Sequence, residues 1–400
     1  MFGSPDMARK TNKKFMVLSA LGIIMVVDLH CDISLNLLNS IIPYESFFMS
    51  LFVFISGYFN KVDENTELST YIKRKCKTLL LPFIIIGFIM FWFEWAINSY
   101  KFGAVQPITE ETLFLPVVNV FTVGYPVRLA SPMWFVPSLW LVTLVYAILR
   151  KAIGKKWNSL IAFVVFTLLN IAVVCISKIF GDTQIFFVFL LPLKCIFFMP
   201  FMEFGVIYRE RLEHGMSKLK KGGNIILLIA LLLLNVIRMM CLPEPDDIIL
   251  DSLYCLGGFT SPYYITPFIS SIIGILFWVT VVDAVGNVFA ENRVVNYISE
   301  NTYFIMGFHL LFINIINCIL LFINDNVTLV PGFDKEVFRA LTYYIWEQHP
   351  LFKFVYFITG LACPLLLKVV VDIIMNTPFI IQIKKSCYSG KAFRDKKERS

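Results

Sequence analysis

Apolar runs of about 20 residues, long enough to cross a bilayer core as helices, recur along the whole chain between short polar breaks. They predict ten spans, at 15–37, 41–59, 79–97, 132–149, 159–180, 184–207, 224–242, 263–283, 302–323 and 351–374. The first two are joined so tightly, through Asn39 and Pro43, that they must form a hairpin. The pattern predicts an all-α, polytopic membrane protein with residues 1–14 as a cytoplasmic N-terminus. A membrane domain follows over 15–376, then a basic cytoplasmic tail over 377–400. The N-terminal stretch, basic and then apolar, resembles a signal peptide. Its apolar run continues straight into Asp28 and His30 without a small-residue cleavage site, so it reads as an uncleaved first span.

Composition strengthens this reading. The chain is 58% hydrophobic and 16% charged, with 40 phenylalanines, against about 45–50% and about 25% in soluble proteins. Charge sets the orientation. Of the 35 Lys and Arg, 26 lie at the two ends and in the loops after even-numbered spans, and five on the opposite side. The positive-inside rule then places both termini in the cytoplasm, which requires an even number of spans. This bias accounts for the net charge of +7, and nothing points to nucleic acid. The nine cysteines are scattered, with no zinc-ligand spacing, so no metal is expected. They read as buried thiols, with a Cys241–Cys255 pair as the alternative if that loop faces an oxidising space. The loops 98–131 and 324–350 are longer, carry aromatics, and are placed as partial caps on the membrane surface. No internal repeat and no GxxxxGK[ST] phosphate loop is present.

Candidate chemistry lies with the polar residues inside the spans, where charge is costly and usually functional or paired. These are Asp28, His30 and Asp32 in span one, Glu94 in span three, Lys194 and Glu203 in span six, Arg238 in span seven, Asp283 at the end of span eight, and His309 in span nine. Glu94, Arg238 and Asp283 lie near span ends and read as structural. His30 sits about 15 residues into its span, roughly 20 Å along the axis. A neutral imidazole there is suited to take a proton from a hydroxyl, although an isolated intramembrane histidine can equally bridge helices. Asp28 and Asp32 share a face that residue 30 points away from, so a partner for His30 must come from another span.

Five segments, in order, resemble acyltransferase family 3, which includes fucose 4-O-acetylase-like and polysaccharide O-acetyltransferases. LSALGIIMVVDLHCD (18–32) is similar to the family's first helix through Gly22, Ile23, Val26, Val27 and His30. FFMSLFVFISGYFNK (47–61) resembles its second through Phe54, Ser56, Gly57 and Tyr58. YIKRKCKTLLLPF (71–83) is similar to the basic entry of its third through Arg74, Lys77 and Pro82. SPMWFVPSLWLV (131–142) matches its Trp-Phe element through Trp134, Phe135 and Leu139, and ISENTYFIMGFHLLF (298–312) resembles its late helix through Asn301, Thr302 and His309. Two positions depart. Many members carry a basic residue eleven positions before the first histidine, where this chain has Ser19, and a Tyr often found three before the late histidine is Met306.

The resemblance implies a plasma-membrane enzyme, of bacterial type, that moves an acyl group from acetyl-CoA or another acyl-CoA to a hydroxyl of a cell-surface polysaccharide or lipid-linked glycan. Arg74, Lys75, Lys77 and Lys14 would meet the phosphates of CoA. Given Ser19, either Lys13, Lys14 or the Arg74 cluster substitutes for the family's basic residue, or the donor differs. His30 would act as base or carry the acyl group covalently. Asp28 or Asp32 would orient it or bind acceptor hydroxyls. Trp134, Glu203 and His309 are candidates for acceptor binding, with Trp134 alternatively an interfacial anchor. Either the enzyme acts alone or a separate extracytoplasmic protein accepts the acyl group. The rival reading is a transporter or flippase for a glycan or small polar solute, with Asp28, Glu203 and His309 as a proton path. A non-catalytic sensor or assembly partner is a third.

Overall fold

The apolar runs fold as helices, several with side-chain caps at the polar breaks between them. The computed structural model describes residues 13–377 except 32, 34, 36, 39, 182, 217, 220, 243–262 and 290. The helices are α1 (Lys13–Cys31), α2 (Phe48–Tyr58), α3 (Leu68–Lys75), α4 (Leu81–Phe102), α5 (Glu110–Thr122), α6 (Phe135–Ile153), α7 (Ser159–Phe180) and α8 (Gln184–Ile207). They continue as α9 (Glu213–Met216), α10 (Lys221–Cys241), α11 (Thr266–Phe289), α12 (Arg293–Glu300), α13 (Thr302–Asn326), α14 (Lys335–Ala340) and α15 (Pro350–Met375). Asn158 caps α7 by accepting from Leu160 and Ile161 N–H, and Thr183 caps α8 through Phe186 N–H. Each satisfies amides that a helix start leaves orphaned.

Among the described residues nine helical stretches are long and apolar enough to cross a membrane. The tenth span differs from expectation. Residues 41–47 form a turn and a short 3₁₀ segment, and only Phe48–Tyr58 is α-helical, about 16 Å of rise. The physical reason is that side chains take over backbone groups between α1 and α2, two of them from distant helices. Asp28 accepts from Leu35 N–H at 2.9 Å, Asn235 of α10 donates to Ile41 C=O, and Ser271 of α11 donates to Ser46 C=O at 2.6 Å. Irregular backbone at membrane depth survives only when protein satisfies it. For the same reason α1 ends at Cys31 instead of running to 37.

Contacts at the start of α1 mark out one end of the bundle. Lys13 and Lys14 at the start of α1 pair with Glu291 and Asp283 at the end of α11, and Phe15 stacks on Tyr58 at the end of α2, 3.8 Å between ring centroids. Tyr58 O–H in turn donates to Glu213, just past α8. These contacts gather one end of the bundle, here called the lysine end. Burial first, then the carboxylates of Asp372 on α15 and Glu300, raise the hydroxyl of Tyr297 on α12, so the finish of α15 lies near α12. Among the described residues, Lys13 and the finish of α15 therefore both lie on the α11–α12 side of the bundle.

Packing is graded by depth. Phe197, Phe198, Phe201 and Met202 of α8 and Ile305, Leu310 and Ile313 of α13 are buried. The periphery exposes Ile226, Leu233 and Ile237 of α10 and Ile358, Leu366 and Ile373 of α15, as suits lipid-facing surface. α5 and α14 occupy the two long loops at the end opposite the lysines. α5 begins with a capping box between Thr109 and Thr112 and exposes Leu113, Phe114, Val117 and Phe121.

The ion pair between Lys14 and Asp283 is 2.6 Å long and only 14% and 18% exposed, and Lys14 also bonds Tyr208 O–H. Removing one partner of a buried pair costs about 3–5 kcal/mol, and partial exposure puts this pair somewhat below that. Asp283→Ala is therefore expected to lower the thermal midpoint in detergent. The double variant Lys14→Met/Asp283→Leu is expected to recover most of the loss, because it leaves no stranded charge. Equal midpoints for Asp283→Ala and the unmodified protein would rule out a structural pair.

Candidate active site

His30 stands in the last turn of α1, toward the end of the bundle opposite the lysines. Its ring centroid lies 5.0 Å from that of His309 on α13 and 5.2 Å from that of Tyr343, which meets it edge-on at 87°. The neighbours of His30 thus come from another helix and from the segment after α14, not from α1 itself. His309 is fully buried. Its Nδ1 lies 2.9 Å from Ile305 C=O. A carbonyl only accepts, so Nδ1 carries the proton and Nε2 of the neutral ring keeps a bare lone pair. Among the described residues neither His309 Nε2 nor His30 Nε2 has a hydrogen-bond partner. Both unpartnered nitrogens are buried and lie on neighbouring rings.

Tyr343 closes one wall of this site. It shares a hydrogen bond with Ser131, which sits just before Trp134. Tyr343 is 46% exposed, and its phenol, with an ordinary tyrosine value of about 10, stays protonated at neutral pH. The strap carrying it is held by side chains of α13: Asn314 donates to Thr342 C=O at 3.0 Å and Asn317 to Tyr344 C=O at 2.8 Å. Neither Ser131 nor Tyr343 stood out in the sequence. Ser131 lies in a 3₁₀ turn and Tyr343 in the segment after α14, neither with a periodic pattern that marks it.

The other site candidates scatter. Asp28 is buried and its carboxylate holds Leu35 N–H, which shapes the turn after α1. Asp32 lies outside the described residues, as does Cys255. Glu203 is buried near the lysine end, beside the level where α8 meets Gly57 of α2. It accepts from Tyr146 O–H at 2.6 Å and Trp157 Nε1–H at 3.3 Å, so it clamps the α6–α7 turn. That level is about 20 Å from His30 along α1, which removes Glu203 from the surroundings of His30 and breaks the path imagined from Asp28 through Glu203 to His309. Trp134 is 9% exposed, and Lys194 Nζ sits 4.4 Å above its ring centroid. One ring face is therefore occupied by a cation, not presented to a sugar.

The cations proposed for a donor also separate. Arg74 and Lys77 are exposed at the α3–α4 junction, where a π-turn spans Cys76–Leu80 and Tyr303 of α13 donates to Leu79 C=O. Arg74 and Lys75 lie over the Tyr71 ring at 5.3 and 5.6 Å. These groups fit the phosphates of a nucleotide-bearing donor, being accessible cations at the lysine end. Lys14 does not, because Asp283 neutralises it. Ser19 and His30 share a face of α1 and are both partly exposed, while Ile23 and Val26 between them are buried.

The described helices form an all-α polytopic membrane bundle that holds two unpartnered imidazole nitrogens on neighbouring rings. Residues 15–369 match the sequence model of acyltransferase family 3, described as an acyltransferase domain. The chain belongs to that family and is a polytopic membrane acyltransferase. No curated protein and no solved structure matches it.

Proposed function

We propose that this acyltransferase moves a short acyl group, acetyl foremost, from acyl-CoA to a hydroxyl of a cell-surface polysaccharide or lipid-linked glycan at a bacterial plasma membrane. The observation that carries the reading is the His30–His309 pair, whose Nε2 atoms have no partner among the described residues. An imidazole held neutral by its surroundings takes the acceptor's hydroxyl proton as the oxygen attacks the thioester carbonyl. A new ester C–O bond forms, the C–S bond breaks, and the proton returns to the departing thiolate. Should His30 carry the acyl group first, the same bonds exchange in two steps and His309 serves as the base in the second. Tyr343, protonated at neutral pH, is a donor beside the ring where carbonyl oxygen charge develops. Arg74, Lys75 and Lys77 supply the phosphate contacts, and a separate acceptor protein is a further destination for the acyl group.

The test uses purified protein in lipid vesicles with acetyl-CoA and surface glycan, reading free CoA thiol and glycan ester together. His309→Asn keeps a donor near Ile305 C=O but removes Nε2. It is expected to slow ester formation by about 10²–10⁴, the usual worth of a general base, with unchanged vesicle incorporation. Ester formation at the full rate in this variant would remove His309 from the mechanism. Glycan movement across sealed vesicles without any CoA release would replace acyl transfer by transport.

A further inference from the structure

Beyond the strap that carries Tyr343 lies a second polar feature. A cavity of about 260 Å³ opens between the outer part of α4, residues 128–129, Asn314 of α13 and residues 339–342. It is smaller than the ~300–1,000 Å³ of sites for drug-sized ligands, and so suits one sugar ring better than several. Its charge is unbalanced. Lys101, Arg128 and Arg339 face a single carboxylate, Glu94, which already accepts from Leu129 N–H at 2.6 Å. Lys101 is 4% exposed, yet its Nζ meets only Leu341 C=O at 3.5 Å and the Phe338 ring at 4.1 Å. Among the described residues it has no ion pair, and Arg128 has none either. Arg339 spends one arm on Glu336 at 2.7 Å and donates Nε–H to Lys101 C=O. Of the three cations only Lys101 is buried, in the field of Glu94, and with exposed Arg128 and half-buried Arg339 the cavity carries more positive than negative charge, which an anion would balance.

Its walls are also the walls of the histidine site. Thr342 lines the cavity and the next residue, Tyr343, touches His30. Leu129 lines it and Ser131, two residues on, bonds Tyr343. Asn314 lines it five residues after His309 on the same helix.

We infer that this cavity is the acceptor subsite and that it takes a sugar carrying an anionic group, a carboxylate or a phosphate, held by Lys101, Arg128 and Arg339. Glu94 and Asn314 are placed to bind neighbouring hydroxyls. The inference rests on the acyl-transfer reading and names the acceptor class, an acidic glycan. It also gives the strap a direction: the anion anchors one side of the ring so that a hydroxyl on the other side points past Thr342 toward the Ser131–Tyr343 pair.

The experiment measures binding without any acyl donor, in nanodiscs of phosphatidylcholine alone. The probes are a tetrasaccharide containing glucuronic acid, the same tetrasaccharide with its carboxyls reduced to alcohols, and galactose 1-phosphate against galactose. The acid forms are expected to bind at least about tenfold tighter than their neutral counterparts, with the margin shrinking as salt rises. Arg128→Gln, at an exposed position that should leave folding intact, and Arg339→Gln are each expected to remove most of that margin while leaving the neutral probes unchanged. Adding phosphatidylglycerol to the discs separates a sugar anion from a lipid headgroup. If the headgroup competes the acid sugar away and itself depends on Arg128, a sugar subsite is overturned. Equal binding of acid and neutral probes overturns it as well, as does a margin that survives the Arg128→Gln/Arg339→Gln double variant. Failure here with ester formation intact leaves acyl transfer standing on a neutral acceptor. An intact margin without CoA release leaves the anion subsite standing and removes acyl transfer.

Discussion

His30→Ala is expected to incorporate into the membrane at normal levels and to form no measurable ester on the glycan. The side chain is partly exposed and its Nε2 bonds nothing among the described residues, so its removal strands no buried partner. What disappears is the nitrogen beside His309 and Tyr343. If His30 is only a base, the loss is about 10²–10⁴ in rate. If it carries the acyl group, turnover stops. Rapid-mix trapping with labelled acetyl-CoA distinguishes the two, since label bound to protein in His309→Asn but absent in His30→Ala assigns the covalent role to His30. Full ester content on glycan from cells carrying only His30→Ala would remove this residue from the chemistry.

Gly57→Ala is expected to be the most damaging single-methyl change in the bundle. A Cβ at Gly57 would fall on Met202 C=O, and one at Gly205 on Phe54 C=O and Tyr58 N. Here α2 and α8 touch backbone to backbone, with a glycine on each side of the crossing. No side chain can rotate aside, so the helices themselves must part. The cost is placed at or above the top of the range of about 1–3 kcal/mol for overpacking a core. Gly22→Ala provides the contrast, because its added methyl meets only the Phe52 ring, nearest atom 2.9 Å away. Thermal unfolding of both variants in detergent tests the pair. A Gly57→Ala midpoint equal to that of Gly22→Ala would mean that the α2–α8 contact is looser than described.

What could be read in the sequence follows from what hydropathy measures. α7 and α8 match the expected spans 159–180 and 184–207 because each apolar run is bounded by a local capping residue, Asn158 or Thr183. Residues 41–47 read as helix in the sequence but fold as a turn and a 3₁₀ segment, because their apolar residues report partition into lipid, not backbone shape. Their irregular path depends on Asn235 and Ser271, some 200 residues away. At the site, the periodicity of α1 directed attention to a neighbour on another helix, but nothing local could say that His309 would be that neighbour. Tyr343 and Ser131 were invisible because neither lies in a periodic pattern that marks it. Glu203 and Trp134 looked like acceptor ligands until Tyr146, Trp157 and Lys194 were seen to occupy them.

The closed face of α1 has an electrical meaning. Ile23 and Val26 are packed between Ser19 and His30, so buried apolar side chains fill this face of α1 between its two polar positions. Apolar packing over that length is a poor path for charge, so the helix that carries His30 does not itself link the two ends of the bundle electrically.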